Sequence, residues 1–229
     1  MISSGCIVSI NSELDNLVSL LAMYLSQLLG ILIVFKTYKL IESKDLNQIY
    51  SFTAKNIYHE EVSLDAYKGK VIIIVNVASI CGYTDIGYKE LQQIYKELGH
   101  DDHFTVLGFP CNQFGKQEPD PEETIEKFVK HYYNVEFPMF SKVDVIGENA
   151  HPIWKYLAKE TGIEPKWNFY KYLIDHTGKV VEVYPSKTSL WKHDPEGIYQ
   201  RIKKMVKEAK KFSKETKPKT VKKELREEL

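Results

Sequence analysis

A run of apolar, mostly β-branched residues from Val71 to Val77 constrains the fold of this chain more than any other feature. Asn76 is the one polar residue within the run. A half-buried strand alternates apolar with polar residues, so a continuous run predicts a strand that is buried on both faces of a sheet. Such a strand needs covering layers on both sides, and a chain of 229 residues with 43% hydrophobic residues can supply them.

The segments after this strand predict a parallel unit. Apolar residues at helical spacing come first, a second strand follows, and Pro121 with Glu122 then opens another helix. The supporting residues are Leu91, Ile94, Tyr95 and Leu98 for the first helix, 104–109 for the strand, and Ile125, Phe128, Val129 and Tyr132 for the second helix. An order of strand, helix, strand and helix is typical of a right-handed crossover between parallel strands.

The rest of the domain predicts a different arrangement, with a short helix from His151-Pro152, a hairpin and a closing helix. Their residues are Ile153, Trp154 and Leu157, then strands over 169–174 and 180–184 around a turn at 175–178, then Ile198, Ile202 and Met205. A parallel unit followed by an antiparallel hairpin, with helices on the sheet, predicts an α/β domain of the thioredoxin-like fold with a mixed central sheet.

Cys81 lies where the buried strand ends and the next helix begins. Unpaired backbone N–H groups and the positive end of the helix dipole favour a thiolate there, and the thiolate is the nucleophilic form of cysteine. A cysteine after a strand is also often a buried, inert structural residue. Position alone therefore leaves both interpretations open.

Three blocks of sequence carry a family resemblance. Residues 76–82 read Asn-Val-Ala-Ser-Ile-Cys-Gly, residues 109–119 read Phe-Pro-Cys-Asn-Gln-Phe-Gly-Lys-Gln-Glu-Pro, and residues 166–169 read Lys-Trp-Asn-Phe. In this order, within residues 50–212, they resemble the signatures of the glutathione peroxidase family. The resemblance implies a thiol-dependent peroxidase for hydrogen peroxide or organic hydroperoxides, active in the response to oxidative stress.

The catalytic set implied by the resemblance is Cys81, Gln117, Trp167 and Asn168. The Cys81 thiolate attacks the hydroperoxide and becomes a sulfenic acid, which another thiol must reduce. The two amides and the indole are hydrogen-bond donors, and they suit the stabilisation of the sulfur anion and of the charge on the leaving oxygen. No bound cofactor is implied, because glutathione or a protein dithiol serves as a co-substrate.

The route by which the oxidised enzyme is reset stays open. Cys111 is a possible resolving cysteine, provided that its Cα comes within about 7 Å of the Cα of Cys81 or that a loop moves. Thioredoxin-dependent members of the family carry a resolving cysteine in a helix that here spans 128–133 and contains none. Three cysteines without a CxxC pair, and no cysteine beside His100 and His103, do not favour a zinc site.

The segment from Leu17 to Phe35 has no charged side chain and is long enough to cross a bilayer as a helix. A cleaved signal peptide and a buried core helix are the alternatives, but the segment before it is acidic and no small-residue cleavage site follows. We expect a single-pass anchor over 17–35, with a short segment over 1–16 and a linker over 36–49. A peroxidase domain over 50–212 and a flexible charged tail over 213–229 complete the chain.

The two ends of the chain disagree about orientation. Lys36, Lys39 and Lys44 place the side after the anchor in the cytosol. The ending Arg226-Glu227-Glu228-Leu229 instead resembles a retrieval address of the endoplasmic reticulum, which is read only in the lumen. A frayed charged helix end is the alternative for these four residues.

The chain resembles the endoplasmic-reticulum branch of the family in three features: the predicted anchor, a cysteine at the reactive position and the last four residues. Members of this branch are monomeric and act with protein disulfide isomerases. We therefore expect a membrane protein with its catalytic domain in the lumen, which leaves Cys6 outside it. Only residues 143–165 fill the interval that is longer in tetrameric members, so we expect a monomer with an open site.

Other function classes are less favoured. A formal net charge of zero gives no reason to expect a nucleic-acid partner. A thioredoxin-fold binding or chaperone module with vestigial peroxidase activity is the alternative that keeps the fold. A disulfide oxidoreductase is excluded, because Thr84 stands where CxxC chemistry needs the second sulfur.

Overall fold

The computed structural model describes residue 17 and residues 19–21, 23–36, 48–191 and 197–216. The chain divides into two compact units, Met1–Asp45 and Leu46–Leu229. In the first unit, helix α1 (Ser19–Lys36) is long and apolar enough to cross a membrane, and its described side chains are exposed. The predictions for 1–16, for most of the linker, for Cys6 and for the last four residues lie outside the described residues.

The second unit contains a four-stranded sheet in the order β4-β3-β5-β6, covered by helices. Strand β3 is parallel to β4, and β5 is antiparallel to β6, as the sequence predicts. The structure adds that β3 is antiparallel to β5. The elements in chain order are β1 (Thr53–Lys55), β2 (Glu61–Ser63), β3 (Val71–Val77), α2 (Thr84–Leu98), β4 (Phe104–Pro110), α3 (Glu122–Tyr133), α4 (Pro152–Thr161), β5 (Lys171–Ile174), β6 (Val180–Tyr184) and α5 (Ile198–Thr216). Short 3₁₀ helices cover Gln48–Ser51, Leu64–Tyr67 and Gly99–Asp101.

Strand β3 is buried along its whole length because both faces of the sheet are covered. Val71, Ile73 and Val75 pack into one core cluster with residues of α2 and α5, while Ile72 and Ile74 pack into the cluster on the other side with residues of α4. Full burial of one such side chain contributes roughly 1.5–3 kcal/mol. The sheet is therefore a rigid support for the loops that leave its strands.

The structure corrects the predicted face of α3. Ile125 and Val129 are buried as expected, but Tyr132 is 64% exposed. Tyr133 packs inward instead, and its ring stacks on that of Tyr88 at 5.1 Å. Measured around the helix axis from the buried Val129, Tyr133 lies about 40° to one side and Tyr132 about 60° to the other, so Tyr133 is nearer to the centre of the buried face.

Three predicted boundaries also shift. Strand β5 begins at Lys171 and not at Phe169, because Phe169 has a left-handed φ of 64° that an extended strand cannot contain. Ile49 is buried in the core, so the domain begins before residue 50. Helix α5 continues to Thr216, into the predicted tail. The antiparallel pair β1–β2 was not predicted, since each strand has only 3 residues.

Candidate active site

Cys81 lies, half-buried, in the short loop that connects β3 to α2. Thr84 closes this loop: its Oγ1 accepts the backbone N–H of Cys81 at 3.0 Å and donates to the carbonyl of Ala78 at 2.7 Å. The backbone N–H of Tyr83 donates to the Cys81 Sγ, with an N···S distance of 3.5 Å. The sulfur is thus held at the N-terminus of α2, within hydrogen-bond reach of a backbone N–H group.

Gln117 and Asn168 meet although they are far apart in sequence. The Nδ2 of Asn168 donates to the Oε1 of Gln117 at 2.9 Å, which fixes the orientation of the Gln117 amide. The carbonyl of Gln117 accepts the backbone N–H of Ile80 at 3.0 Å. The segment that carries Gln117 therefore contacts both the loop of Cys81 and the side chain of Asn168.

The turn before Gln117 depends on left-handed backbone conformations. Gly115 has φ +62° and Lys116 has φ 51°. A side chain on Gly115 would be strained at that φ, and its Cβ would lie 3.4 Å from the side chain of Gln117. Glycine at this position lets the chain reverse close to the Gln117 amide.

Trp167 is 38% exposed, and its ring centroid lies 6.1 Å from that of Phe114. It lines an open cavity of about 210 Å³, whose other lining residues are Tyr83, Lys166, Tyr170, Pro185, Ser186 and Lys187. Because Tyr83 comes two residues after Cys81, this cavity adjoins the loop of the reactive sulfur. The structure thus brings together the segments of all four predicted catalytic residues.

Asn76 binds the backbone of the segment that carries Trp167, a role that was not predicted from the sequence. Its side chain is fully buried; the Nδ2 donates to the carbonyl of Trp167 at 3.0 Å and the Oδ1 accepts the N–H of Tyr170 at 3.0 Å. Its own carbonyl accepts the N–H of Phe169 at 2.7 Å. The available signal was that Asn76 is polar within an apolar strand.

A buried acid, Glu118, lies next to Gln117. Its side chain is fully buried, and its Oε1 accepts the hydroxyl of Ser79 at 2.9 Å. Burial raises the pKa of Glu118 to about 7, against the lowering effect of the Ser79 hydrogen bond. Its backbone is held as well, since the Lys142 ammonium donates to its carbonyl at 3.0 Å. This residue links the Cys81 loop to the Gln117 segment.

Cys111 is in a different environment from Cys81. Both thiols are free, but Cys111 is fully buried and burial raises its pKa to about 11. It belongs to the core cluster of Ile72 and Ile74, whereas Cys81 packs against the cluster on the opposite face of the sheet. A resolving disulfide between the two stays a prediction, and it needs a rearrangement that exposes Cys111.

Comparison with known proteins gives one consistent family. The family model Glutathione peroxidase matches residues 49–158. Glutathione peroxidase 7 of Homo sapiens is 50% identical over 157 residues, which are 69% of this chain and 83% of that protein. Probable glutathione peroxidase 8 of Homo sapiens is 42% identical over 161 residues, 69% of this chain and 77% of that protein.

A solved structure agrees with the sequence relatives. The crystal structure of Trgpx in apo form is 38% identical and superposes with a TM-score of 0.55, covering 69% of this chain and 95% of that one. The likeness extends over the domain that carries the half-buried sulfur and its neighbouring amides and indole.

Proposed function

Since this chain belongs to the glutathione peroxidase family and is a thiol-dependent peroxidase, we propose that Cys81 is the thiolate that attacks the hydroperoxide. Gln117, Trp167 and Asn168 supply the donors that stabilise the charge formed in this step. The observation that carries the proposal is the set of contacts from the Cys81 loop to Gln117 and from Gln117 to Asn168.

In the first step, the Cys81 thiolate attacks the terminal oxygen of ROOH. A sulfur–oxygen bond forms as the O–O bond breaks, and the sulfur is oxidised by two electrons. The leaving alkoxide takes a proton, so that the products are ROH and the sulfenic acid Cys–SOH. Amide and indole N–H groups, held in place before the reaction, stabilise the negative charge with little reorganisation.

In the second step, a thiol from outside the chain condenses with the sulfenic acid to give a mixed disulfide and water. A second thiol then displaces Cys81, so that a disulfide leaves and the thiolate returns. Half-burial of Cys81 and exposure of Trp167 support access for an outside thiol, either glutathione or a protein dithiol such as that of protein disulfide isomerase. The burial of Cys111 makes it a poorer nucleophile for this role.

For the location, we propose a monomer with a single-pass anchor at α1 and a catalytic domain in the lumen of the endoplasmic reticulum. Helix α1 and the likeness to probable glutathione peroxidase 8 support the anchor. The retrieval-like ending at Arg226 to Leu229 supports the luminal side.

The test is peroxide consumption by the full chain in detergent micelles with excess thiol. Wild type should consume hydrogen peroxide, and Cys81→Ser should lose this activity, with Cys81 of the wild type trapped as a sulfenic acid by dimedone and located by mass spectrometry. Full activity in Cys81→Ser would refute the assignment. A wild type that consumes no peroxide, yet still binds partner proteins, would favour a vestigial binding module.

A further inference from the structure

Lys171 is a buried cation that the peroxide chemistry does not use. It begins β5, is only 3% exposed, and follows Asn168 by three positions. Burial lowers its pKa to about 8, which leaves the ammonium charged at neutral pH. A buried charge is costly unless hydrogen bonds compensate it, and an apolar side chain would fill the same space without that cost. The hydrogen-bond acceptors of the ammonium therefore explain why a lysine, and not an apolar residue, occupies this position.

These groups are the backbone carbonyls of one loop, residues 185–190. The Nζ of Lys171 donates to the carbonyls of Pro185 at 3.4 Å, Ser186 at 3.2 Å and Thr188 at 3.0 Å. Hydrogen bonds from a charged donor are stronger than those between neutral groups. The ammonium thus ties three carbonyls of the 185–190 loop to the central sheet.

An acid on α2 holds the other end of the same loop. The Glu90 carboxylate accepts the hydroxyl of Ser189 at 2.6 Å and the backbone N–H of Leu190 at 3.3 Å. The cation binds the carbonyls of the loop and the acid binds its donors, so the two anchors have complementary chemistry. The loop is fixed to β5 and to α2 at once.

The anchored loop contacts the catalytic set directly. The Ser186 hydroxyl donates to the backbone carbonyl of Asn168 at 2.6 Å, and the Asn168 amide donates to Gln117. A continuous series of hydrogen bonds therefore runs from Lys171 through Ser186 and Asn168 to Gln117. Residues that carry no reacting atom can still decide a rate, because a displacement of about 1 Å in a site can cost about 100-fold.

We propose that Lys171 is a positioning residue of the peroxidase site, which anchors the 185–190 loop so that Ser186 fixes the backbone of Asn168. The inference rests on the proposed function of Cys81 and Asn168, and it adds a specific means by which the donor geometry is maintained. It predicts that loss of the ammonium slows the oxidation of Cys81 although no reacting group is removed.

The test is a double-mutant cycle on the full chain in detergent micelles, followed by the second-order rate constant for oxidation of Cys81 by hydrogen peroxide. Lys171→Met and Ser186→Ala should each lower the rate constant about tenfold. Because both act on the same contact with Asn168, the double variant should be no slower than the slower single variant. Lys179→Met, the same change at an exposed lysine of the β5–β6 turn, is the control and should react like wild type.

Several outcomes would overturn the inference. One is a Lys171→Met variant whose Cys81 is oxidised at the wild-type rate. Another is a double variant whose rate constant falls by the product of the two single-variant factors. If Lys171→Met does not fold, Ser186→Ala decides alone, and a wild-type rate in that variant refutes the proposal. If Cys81 of the wild type is not oxidised rapidly, the proposed function is overturned as well. If the wild type and the variants are all oxidised equally fast, only the role of Lys171 is overturned.

Discussion

The buried acid Glu118 makes a quantitative prediction about stability and pH. A glutamic acid in the unfolded chain titrates near its ordinary pKa of 4.5, while burial raises the pKa of Glu118 to about 7 in the folded protein. The folded state therefore holds this proton more tightly than the unfolded state. As pH rises from 4.5 to 7, the unfolded state loses the proton first, so stability falls across this range and levels off above it.

The size of the effect follows from the two pKa values. A tenfold difference in proton affinity corresponds to about 1.4 kcal/mol. The rise in the pKa from 4.5 to about 7 thus lowers the free energy of unfolding by roughly 3 kcal/mol at pH 8, compared with a pH below 4.5. The ionised carboxylate is costly because the Oε2 of Glu118 has no hydrogen-bond partner in the described part of the chain, whereas its Oε1 is bound by Ser79.

Glu118→Gln removes the charge and keeps an oxygen that accepts the Ser79 hydroxyl. We expect the variant to gain stability over wild type by roughly 3 kcal/mol more at pH 8 than at pH 4.5. Urea unfolding of the full chain in detergent, followed by tryptophan fluorescence at both pH values, measures this difference. Glu160→Gln, at an exposed position of α4, is the matched control and should show no such gain. An equal effect of Glu118→Gln at both pH values would refute the reasoning.

Two further predictions concern Cys111 and Gly87. Cys111→Ser should keep peroxide turnover with excess thiol, because Cys111 is buried and its raised pKa disfavours its thiolate; a loss of turnover above about tenfold would instead assign it the resolving role. Gly87→Ala should destabilise the domain by about 1–3 kcal/mol, because the new Cβ would lie 2.5 Å from the Cδ1 of the buried Phe169 ring. The urea midpoint measures this loss, and an unchanged midpoint would contradict the packing argument.

The sheet was predictable because its signals are local. The segments 71–77 and 104–109 each contain their own evidence for a strand, and the structure confirms both, with the second extending to Pro110. Strands of 3 residues such as β1 and β2 carry too few positions to show a period. The start of β5 depends on the positive φ of Phe169, which its residue type does not indicate.

Three sequence blocks identify the side chains proposed as catalytic, but the residues that contact the backbone around them were not predictable. Thr84, Asn76 and Lys171 bind backbone atoms, and any residue type presents the same N–H and C=O groups. For Asn76 the bonded partner lies 91 positions away in sequence. Patterns of spacing describe neighbours along the chain, so they cannot reveal such pairs.

Asn76 and Lys171 nevertheless share a property that the sequence displays. Each is a polar residue in a strand buried along its whole length, Asn76 near the end of β3 and Lys171 at the start of β5. An amide or an ammonium in such a place is tolerated only when polar groups compensate its desolvation. Here the compensating groups are backbone atoms of two segments. One is 167–170, which contains Trp167 and Asn168, and the other is 185–188, which contacts Asn168 through Ser186. The central sheet therefore fixes the main chain of the proposed donors, and a lone polar residue at the end of a buried strand is the sequence signal of that support.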